Sequence, residues 1–507
     1  MRVLRRLLGT GIALATVLCA TAGHEGVAGA APVKPAKPGD FNGDGYGDLA
    51  VGAPTMKISS IQRAGAVAVT YGSPTGLKTG KHQTVSQSSG GVPGGAEAGD
   101  RFGQAVASGD FDGDGHADLA VGSPGEKLGT VVDAGSVTII YGSATGLSGR
   151  AVAFALGTAG VPGAQGADLH FGRSLAAGDL NGDGYRDLAV GTGKQVVVLY
   201  GGAHGITSAG ATLIKTPPGA DFPSQSDPLQ VYGFGSTLAI TDTDRDGYAD
   251  LIAGAWLRST EGDPGDNAYA GSEVYRGSAS GVATTHAQVL ANAGGGLAGG
   301  DINGDGYGDV LAGTSGSNIL PAPVATVFLG SATGLRKVWT FNQNTAGVPG
   351  TFEDFDGFGA AVSLGDVNGD GKADAAVAAP FEGPGSAWGY GNVTVLFGSS
   401  SATGLTATGA KAYSQDTSGV PGHSEYGDIF GSAVQLTDLD RDGRAELAVG
   451  APGENGTGTA DDRNADGAVA VLRGTSGGLS TSGVLSFGAA TLGGTTHQAS
   501  FGTGLLP

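Results

Sequence analysis

Asp40-Phe41-Asn42-Gly43-Asp44-Gly45-Tyr46-Gly47-Asp48 decides the fold, because its template, Asp-x-(Asp/Asn)-x-Asp-Gly-x-x-(Asp/Glu), occurs seven times in the chain. The other copies start at Asp110, Asp179, Asp242, Asp301, Asp366 and Asp438, with successive starts 59 to 72 residues apart. Position three is Asn42, Asp112, Asn181, Asp244, Asn303, Asn368 and Asp440. Position five is always Asp: Asp44, Asp114, Asp183, Asp246, Asp305, Asp370 and Asp442. Gly follows it every time, and position nine closes with Asp48, Asp118, Asp187, Asp250, Asp309, Asp374 and Glu446. A hard divalent cation needs several oxygens, which alternate residues of a tight loop supply while Gly permits the sharp turn. By analogy with other loops of this type, the carbonyl of position seven (Tyr46, His116, Tyr185, Tyr248, Tyr307, Lys372, Arg444) is expected to add a ligand. The expectation is up to seven structural Ca2+ ions. An EF-hand needs an acid at position twelve and flanking helices. Here position twelve is apolar, as at Val51 and Val121.

A recurrence of this length in 507 residues points to one repeat array and not to several unrelated domains. Gly is 99 of the 507 residues without a Gly-X-Y period, which suits many short strands joined by tight turns. The N-terminus reads as an export signal: Arg2, Arg5 and Arg6 precede the apolar run Ile12 to Leu18, with small residues at Ala20-Thr21-Ala22 and Ala28 to Ala31. The expected organisation is therefore a signal over 1–31, a linker over 32–38 and the repeat array over 39–507. The apolar run is shorter than the ~20 residues of a membrane span, so a secreted, extracellular protein is expected. Cys19 is the only cysteine, leaving the mature chain no internal disulfide. Formal charge is −20, and seven divalent cations would offset more than half of it. No Lys/Arg cluster is present to neutralise phosphates, which argues against nucleic acid.

Each loop sits in a longer unit. Phe-Gly lies eight residues ahead of it, at Phe102, Phe171, Phe234, Phe358 and Phe430. Small apolar residues lead into the loop as a first strand, and Leu49-Ala50-Val51-Gly52-Ala53-Pro54 is typical of the second. A third strand such as Gly135 to Tyr141 ends in a turn, Gly142-Ser143-Ala144-Thr145-Gly146-Leu147. A fourth, outer strand is expected to end in Gly-Val-Pro-Gly, at Gly91, Gly160, Gly347 and Gly419. Four strands per unit, repeated radially, predict an all-β, seven-bladed β-propeller of antiparallel sheets. The first unit lacks a Phe-Gly strand, while Phe501-Gly502 has no loop after it. The C-terminal strand is thus expected to complete blade one and close the ring.

These Phe-Gly and Gly-Ala-Pro units around an acidic loop resemble FG-GAP repeats, which build the seven-bladed propeller of integrin alpha subunits and occur in bacterial secreted proteins. The resemblance covers roughly residues 39 to 507. Unit five departs with Ala293-Gly294 in place of Phe-Gly, and units three to five lack Gly-Ala-Pro. It implies a calcium-binding, adhesion-like or scaffold module with a protein or glycan ligand.

Catalytic patterns are weak. Gly474-Thr475-Ser476-Gly477-Gly478 matches the serine-hydrolase elbow but falls where other units have their tip turn, with no helix pattern after it. The eight histidines show no ligand spacing. In a meander the acidic loops share one face, so the segments joining strands two and three occupy the other. That second face is expected to carry Trp256, Leu257, Arg258, Asp263, Asp266, Trp388 and Tyr390, with inserts at Thr216 to Val231 and Pro452 to Ala465 shaping a recognition surface. Trp339 is expected to pack only. The Asn392 and Asn455 triplets match the glycosylation signal, the first inside a strand. The resulting expectation is a monomeric, non-catalytic binding propeller; the alternative is a secreted phospholipase- or esterase-like hydrolase with its site on the propeller face.

Overall fold

The computed structural model describes residues 36–158, 160–216, 229–259, 268–291, 293–314, 323–353, 355–383, 389–454, 466–493 and 499–506. The export signal, Cys19, Asp263, Asp266, Trp388 and the Asn455 triplet lie outside the described residues.

Blade two shows how sequence becomes sheet. Ala105–Gly109, Asp118–Ser123, Ser136–Ile140 and Ala151–Phe154 pair antiparallel in chain order. The second and third strands are buried along their whole length. Both faces of a blade pack against neighbouring blades, so these strands are continuous apolar runs and do not alternate. The outer strand meets solvent and is mostly half-buried or exposed. Seven such sheets occur among the described residues.

The two halves of the repeat signature meet across each blade boundary. Phe102, Phe171, Phe234, Phe358, Phe430 and Phe501 are at most 1% exposed and wedge between sheets. The Gly after each Phe lies against the Gly of the second strand in the preceding blade. A Cβ on Gly122 would fall far inside contact distance of the Gly172 carbonyl, and the same holds for Gly52 with Gly103, Gly313 with Gly359 and Gly450 with Gly502. Backbone approaches backbone there, which only Gly allows. Blade six has Ala378 at this position, and its methyl takes up the space beside Gly431. In unit five, Ala293 is fully buried at the place of the missing Phe.

Ring closure occurs as expected. Gly504–Leu506 pairs with Leu49–Ala53 as the innermost strand of blade one, with Val51 opposite Leu505. Val106, Leu175, Leu238, Leu297, Val362, Val434 and Leu505, one residue from each blade, line a single axial opening of about 280 Å3. Further ties cross blade boundaries on the second face. Gln87 donates to Glu126 and Gln343 to Glu382, both at 2.5 Å, and Gln415 donates to Glu454.

One expectation needs correction. Gly-Val-Pro-Gly does not end the outer strand: Lys78–Val85, Ala151–Phe154, Arg336–Phe341 and Leu405–Tyr413 stop before Gly91, Gly160, Gly347 and Gly419, which sit in the turn that follows. Positive φ at these four glycines, between 82° and 93°, explains why the strand cannot continue through them. The Thr216 to Val231 insert runs into a further strand. Leu229–Tyr232 pairs with the far end of the ten-residue strand Asp250–Ser259, giving blade four a fifth strand.

Candidate metal centres

Six of the acidic loops join first to second strands, the one at Asp40 leads directly into the second strand of blade one, and all seven share one hydrogen-bond scaffold. At position one, a carboxylate oxygen accepts the position-six N–H: Gly45 to Asp40 at 2.9 Å, Gly115 to Asp110 at 3.1 Å, and likewise for Asp179, Asp242, Asp301, Asp366 and Asp438. At position five, the carboxylate accepts the position-seven N–H in all seven loops, at 2.9 to 3.0 Å. These bonds need a left-handed residue at position six, and Gly45 has φ 89°.

Position nine has a second role that spacing alone does not reveal. One oxygen of Asp48 accepts the Phe41 N–H at 3.0 Å, and the other accepts the Gly72 N–H at 2.8 Å. Asp118 does the same with Phe111 and Gly142, Asp187 with Leu180 and Gly201, and Asp374 with Val367 and Gly398. Asp250, Asp309 and Glu446 complete the set. The buried carboxylate thus ties the loop to the end of the third strand. The donor is the Gly that opens the tip turn, a residue the sequence marks only as a turn former. Neighbouring loops are also linked: the Ala117 N–H donates to the Asp40 carbonyl at 2.8 Å, and equivalent bonds join five further loop pairs.

The carboxylates converge. Asp110, Asp112 and Asp118 each bring an oxygen within 4.8 Å of the others, as do Asp242, Asp244 and Asp246, and Asp438, Asp440 and Glu446. Oxygens placed around a Ca2+ ion at 2.3–2.6 Å have separations of this order. Asp40 Oδ1 and Asp244 Oδ1 are buried and have no hydrogen-bond partner among the described residues. Burial, reinforced by neighbouring acids, pushes Asp118 up to about 8 and Asp48, Asp187, Asp309, Asp374 and Glu446 up to about 7. The donor set therefore fits a hard divalent cation, whose charge offsets that crowding.

Each aspartate at position three has a partner of opposite charge. Where position three is Asp, an arginine pairs with it: Arg150 with Asp112 at 2.5 Å, Arg276 with Asp244 at 2.8 Å and Arg473 with Asp440 at 2.6 Å. Where position three is Asn, no such arginine occurs among the described residues. Four carboxylates with one guanidinium carry the same net charge as three carboxylates with an amide.

The other candidates resolve differently. Ser476 lies in the two-residue turn between Ala468–Thr475 and Gly478–Gly488, followed by strand. Trp339 stacks on Phe341 with ring centres 4.3 Å apart. Trp256 is half-buried against Gly233 and opposite Tyr232 in the added strand, and Tyr390 is half-buried. Histidine spacing gave no hint that His170 approaches Asp133 and Asp168, each contributing an atom within 4.8 Å of the others. Among the described residues no helix is long and apolar enough to cross a membrane.

The FG-GAP repeat family matches residues 38–70, 102–140, 171–210, 358–396 and 430–472. These are repeats one, two, three, six and seven. A phosphatidylinositol-glycan-specific phospholipase D of Rattus norvegicus is 35% identical over 162 residues, which is 31% of this chain and 18% of that protein. Integrin alpha-PS5 of Drosophila melanogaster is 32% identical over 167 residues, 32% of this chain and 15% of that protein. The chain spans less than a fifth of the length of either relative. Among solved structures, an exotype rhamnogalacturonan lyase aligns over 72% of this chain and 65% of its own, with a TM-score of 0.32 and 12% identity. Likeness at that level carries no argument about function.

Proposed function

Because this chain is an FG-GAP repeat propeller similar to those of integrin alpha subunits, we propose that it is an exported, calcium-braced binding module with no catalytic step of its own. The observation that carries this reading is the shared hydrogen-bond scaffold of all seven loops, three of which bring three carboxylates within 4.8 Å of one another. In each loop the ligands would be the side chains at positions one, three, five and nine and the carbonyl at position seven. Ca2+ would supply the positive charge that lets buried carboxylates remain ionised. The chain's own groups do the rest: backbone N–H groups aim the acids, position nine ties loop to third strand, and arginines absorb surplus charge. Extracellular modules bind Ca2+ at ~10⁻⁴–10⁻³ M, which suits a chain whose first residues read as an export signal. The loops brace one face and leave the other to contact a ligand.

Melting the purified protein in Ca2+ and in excess EGTA, with bound metal counted by mass spectrometry, tests the reading. A marked drop in melting temperature and several ions per chain are expected. A melting curve indifferent to EGTA, with no bound metal, overturns it. The phospholipase relative is matched over only 18% of its length, so its activity is not carried over; turnover of phosphodiester substrates by this chain would replace the binding reading with the hydrolase alternative.

A further inference from the structure

Quasi-equivalent positions in a repeat protein reveal specialisation where one repeat differs from the rest. The residue before each Phe-Gly and the residue after it begin the inner strand on the face opposite the acidic loops. Before Phe-Gly stand Arg101, His170, Gly233, Gly357, Ile429 and Ser500; after it stand Gln104, Arg173, Ser236, Ala360, Ser432 and Thr503. Cationic groups occur only in blades two and three. The leading residue is held in the left-handed region throughout, with φ 57° at Arg101 and 54° at His170. That is an unfavourable conformation for a branched or long side chain, imposed here by the repeat.

Arg101, Gln104, His170, Arg173 and Ser236 converge with Pro124 on a pocket of about 260 Å3. Arg101 Nε and Ser236 Oγ are buried and have no hydrogen-bond partner among the described residues. Buried donors of this kind are costly to leave unmade. The contrast with the loop face is direct: Arg150, Arg276, Arg444 and Arg473 are each paired to a loop aspartate. Neither Arg101 nor Arg173 has an ion pair with any described residue. The His170 ring is positioned by its Nδ1–H, which donates to the Pro124 carbonyl at 3.1 Å. Asp133 and Asp168 approach His170 but are not among the walls of the pocket.

We propose that this pocket binds the carboxylate of an acidic side chain presented by a protein partner. Two guanidinium groups and a hydroxyl are the donor set that recognises a carboxylate, through charge-assisted and often bidentate bonds. The volume falls below the ~300–1,000 Å3 of sites that enclose a whole small molecule, so it accepts one side chain and little more. No Trp, Tyr or Phe is among its walls, so the C–H face of a sugar ring lacks the broad stacking platform such residues provide; this favours a peptide over an acidic glycan. The inference rests on the binding-module reading and supplies the ligand chemistry of its free face.

Titration calorimetry of the full chain in Ca2+ with a hexaglutamate peptide tests it, against hexaglutamine, free glutamate and an oligogalacturonate. Hexaglutamate is expected to bind, with a loss of about tenfold or more for Arg101→Gln or Arg173→Gln and of detectable binding for both together. Arg336→Gln, on an exposed outer strand, is expected to bind like the parent. Since neither pocket arginine has an ion pair among the described residues, the variants should keep the parent melting curve. Four outcomes overturn the proposal: hexaglutamate binding no tighter than hexaglutamine, undiminished binding by the folded double variant, free glutamate binding as tightly as the peptide, or arginine-dependent binding of the oligogalacturonate alone. Melting in EGTA separates the two readings. An EGTA-sensitive protein that ignores hexaglutamate loses only the pocket; an EGTA-indifferent protein that binds it loses only the metal reading.

Discussion

Substituting Gly142 by Ala isolates the tie between loop and third strand. The Gly142 N–H donates to Asp118 Oδ1 at 2.8 Å, in a fully buried setting. A Cβ at this residue would sit 2.8 Å from His116 Cβ and 2.8 Å from the Phe41 carbonyl oxygen, and closer still to the Ala117 carbonyl. Backbone on two sides cannot give way, so the end of the third strand must retreat. Two costs follow: about 1–3 kcal/mol for overpacking and about 1.5–3 kcal/mol for a lost hydrogen bond to a charged acceptor that stays buried. The expected destabilisation is roughly 3–5 kcal/mol. Gly142 is not among the positive-φ glycines, so no penalty arises from conformation itself. Gly80→Ala is the control, since a Cβ there meets nothing within 4 Å and its φ is not positive either. Chemical denaturation of both variants in saturating Ca2+ gives the comparison. Equal stability of the two would show that the position-nine carboxylate does not depend on this donor, and the argument would fail.

Charge balance predicts rescue: Arg150→Gln should destabilise by about 0.5–1 kcal/mol, since the side chain is 51% exposed, and adding Asp112→Asn should restore most of it, measured as a double-mutant cycle in EGTA. Asp100 and Asp428, outside the loops and each 1% exposed, are pushed up to about 7 by burial, with Glu97 and Glu126 or Glu425 and Glu454 adding repulsion. A raised acid favours the folded state while protonated, so their contribution is full below pH ~4 and is lost as pH rises to about 7; with Ca2+ saturating, Asp100→Asn/Asp428→Asn should flatten that fall, and an unchanged pH profile would refute the assignment. Phe501→Ala removes a fully buried ring that packs edge-on to Phe487 at 6.0 Å and should cost about 3–5 kcal/mol, read from the denaturation midpoint; a loss under 1 kcal/mol would mean that the closing strand contributes little.

Legibility in the sequence follows the range of the interaction. The acidic loops were readable because their internal bonds span at most nine residues, so chemistry fixes residue type at fixed spacing. The glycines of Phe-Gly and Gly-Ala-Pro were readable as repeats, but that they touch across blades is a tertiary fact. Gly72 lies 24 residues from Asp48, and Arg276 and Arg473 lie 26 to 33 residues from the loop acids they meet. No local pattern carries such pairings. The added strand of blade four was missed because Leu229-Gln230-Val231-Tyr232 is short and finds its partner only where Asp250–Ser259 runs past the usual strand length. The arginine pocket was missed because its members come from three repeats, and only their superposition in the ring places them side by side.

The seam at blade one shapes how this molecule comes into being. Val51 pairs with Leu505, so the opening sheet waits, incomplete, until the chain has been delivered as far as Leu505. A contact of such sequence separation forms late and slowly. Until then the bare edge beside Leu49–Ala53 is the place where a second copy can insert its own tail, making exchange of that segment between chains the characteristic way for assembly to go astray at high concentration.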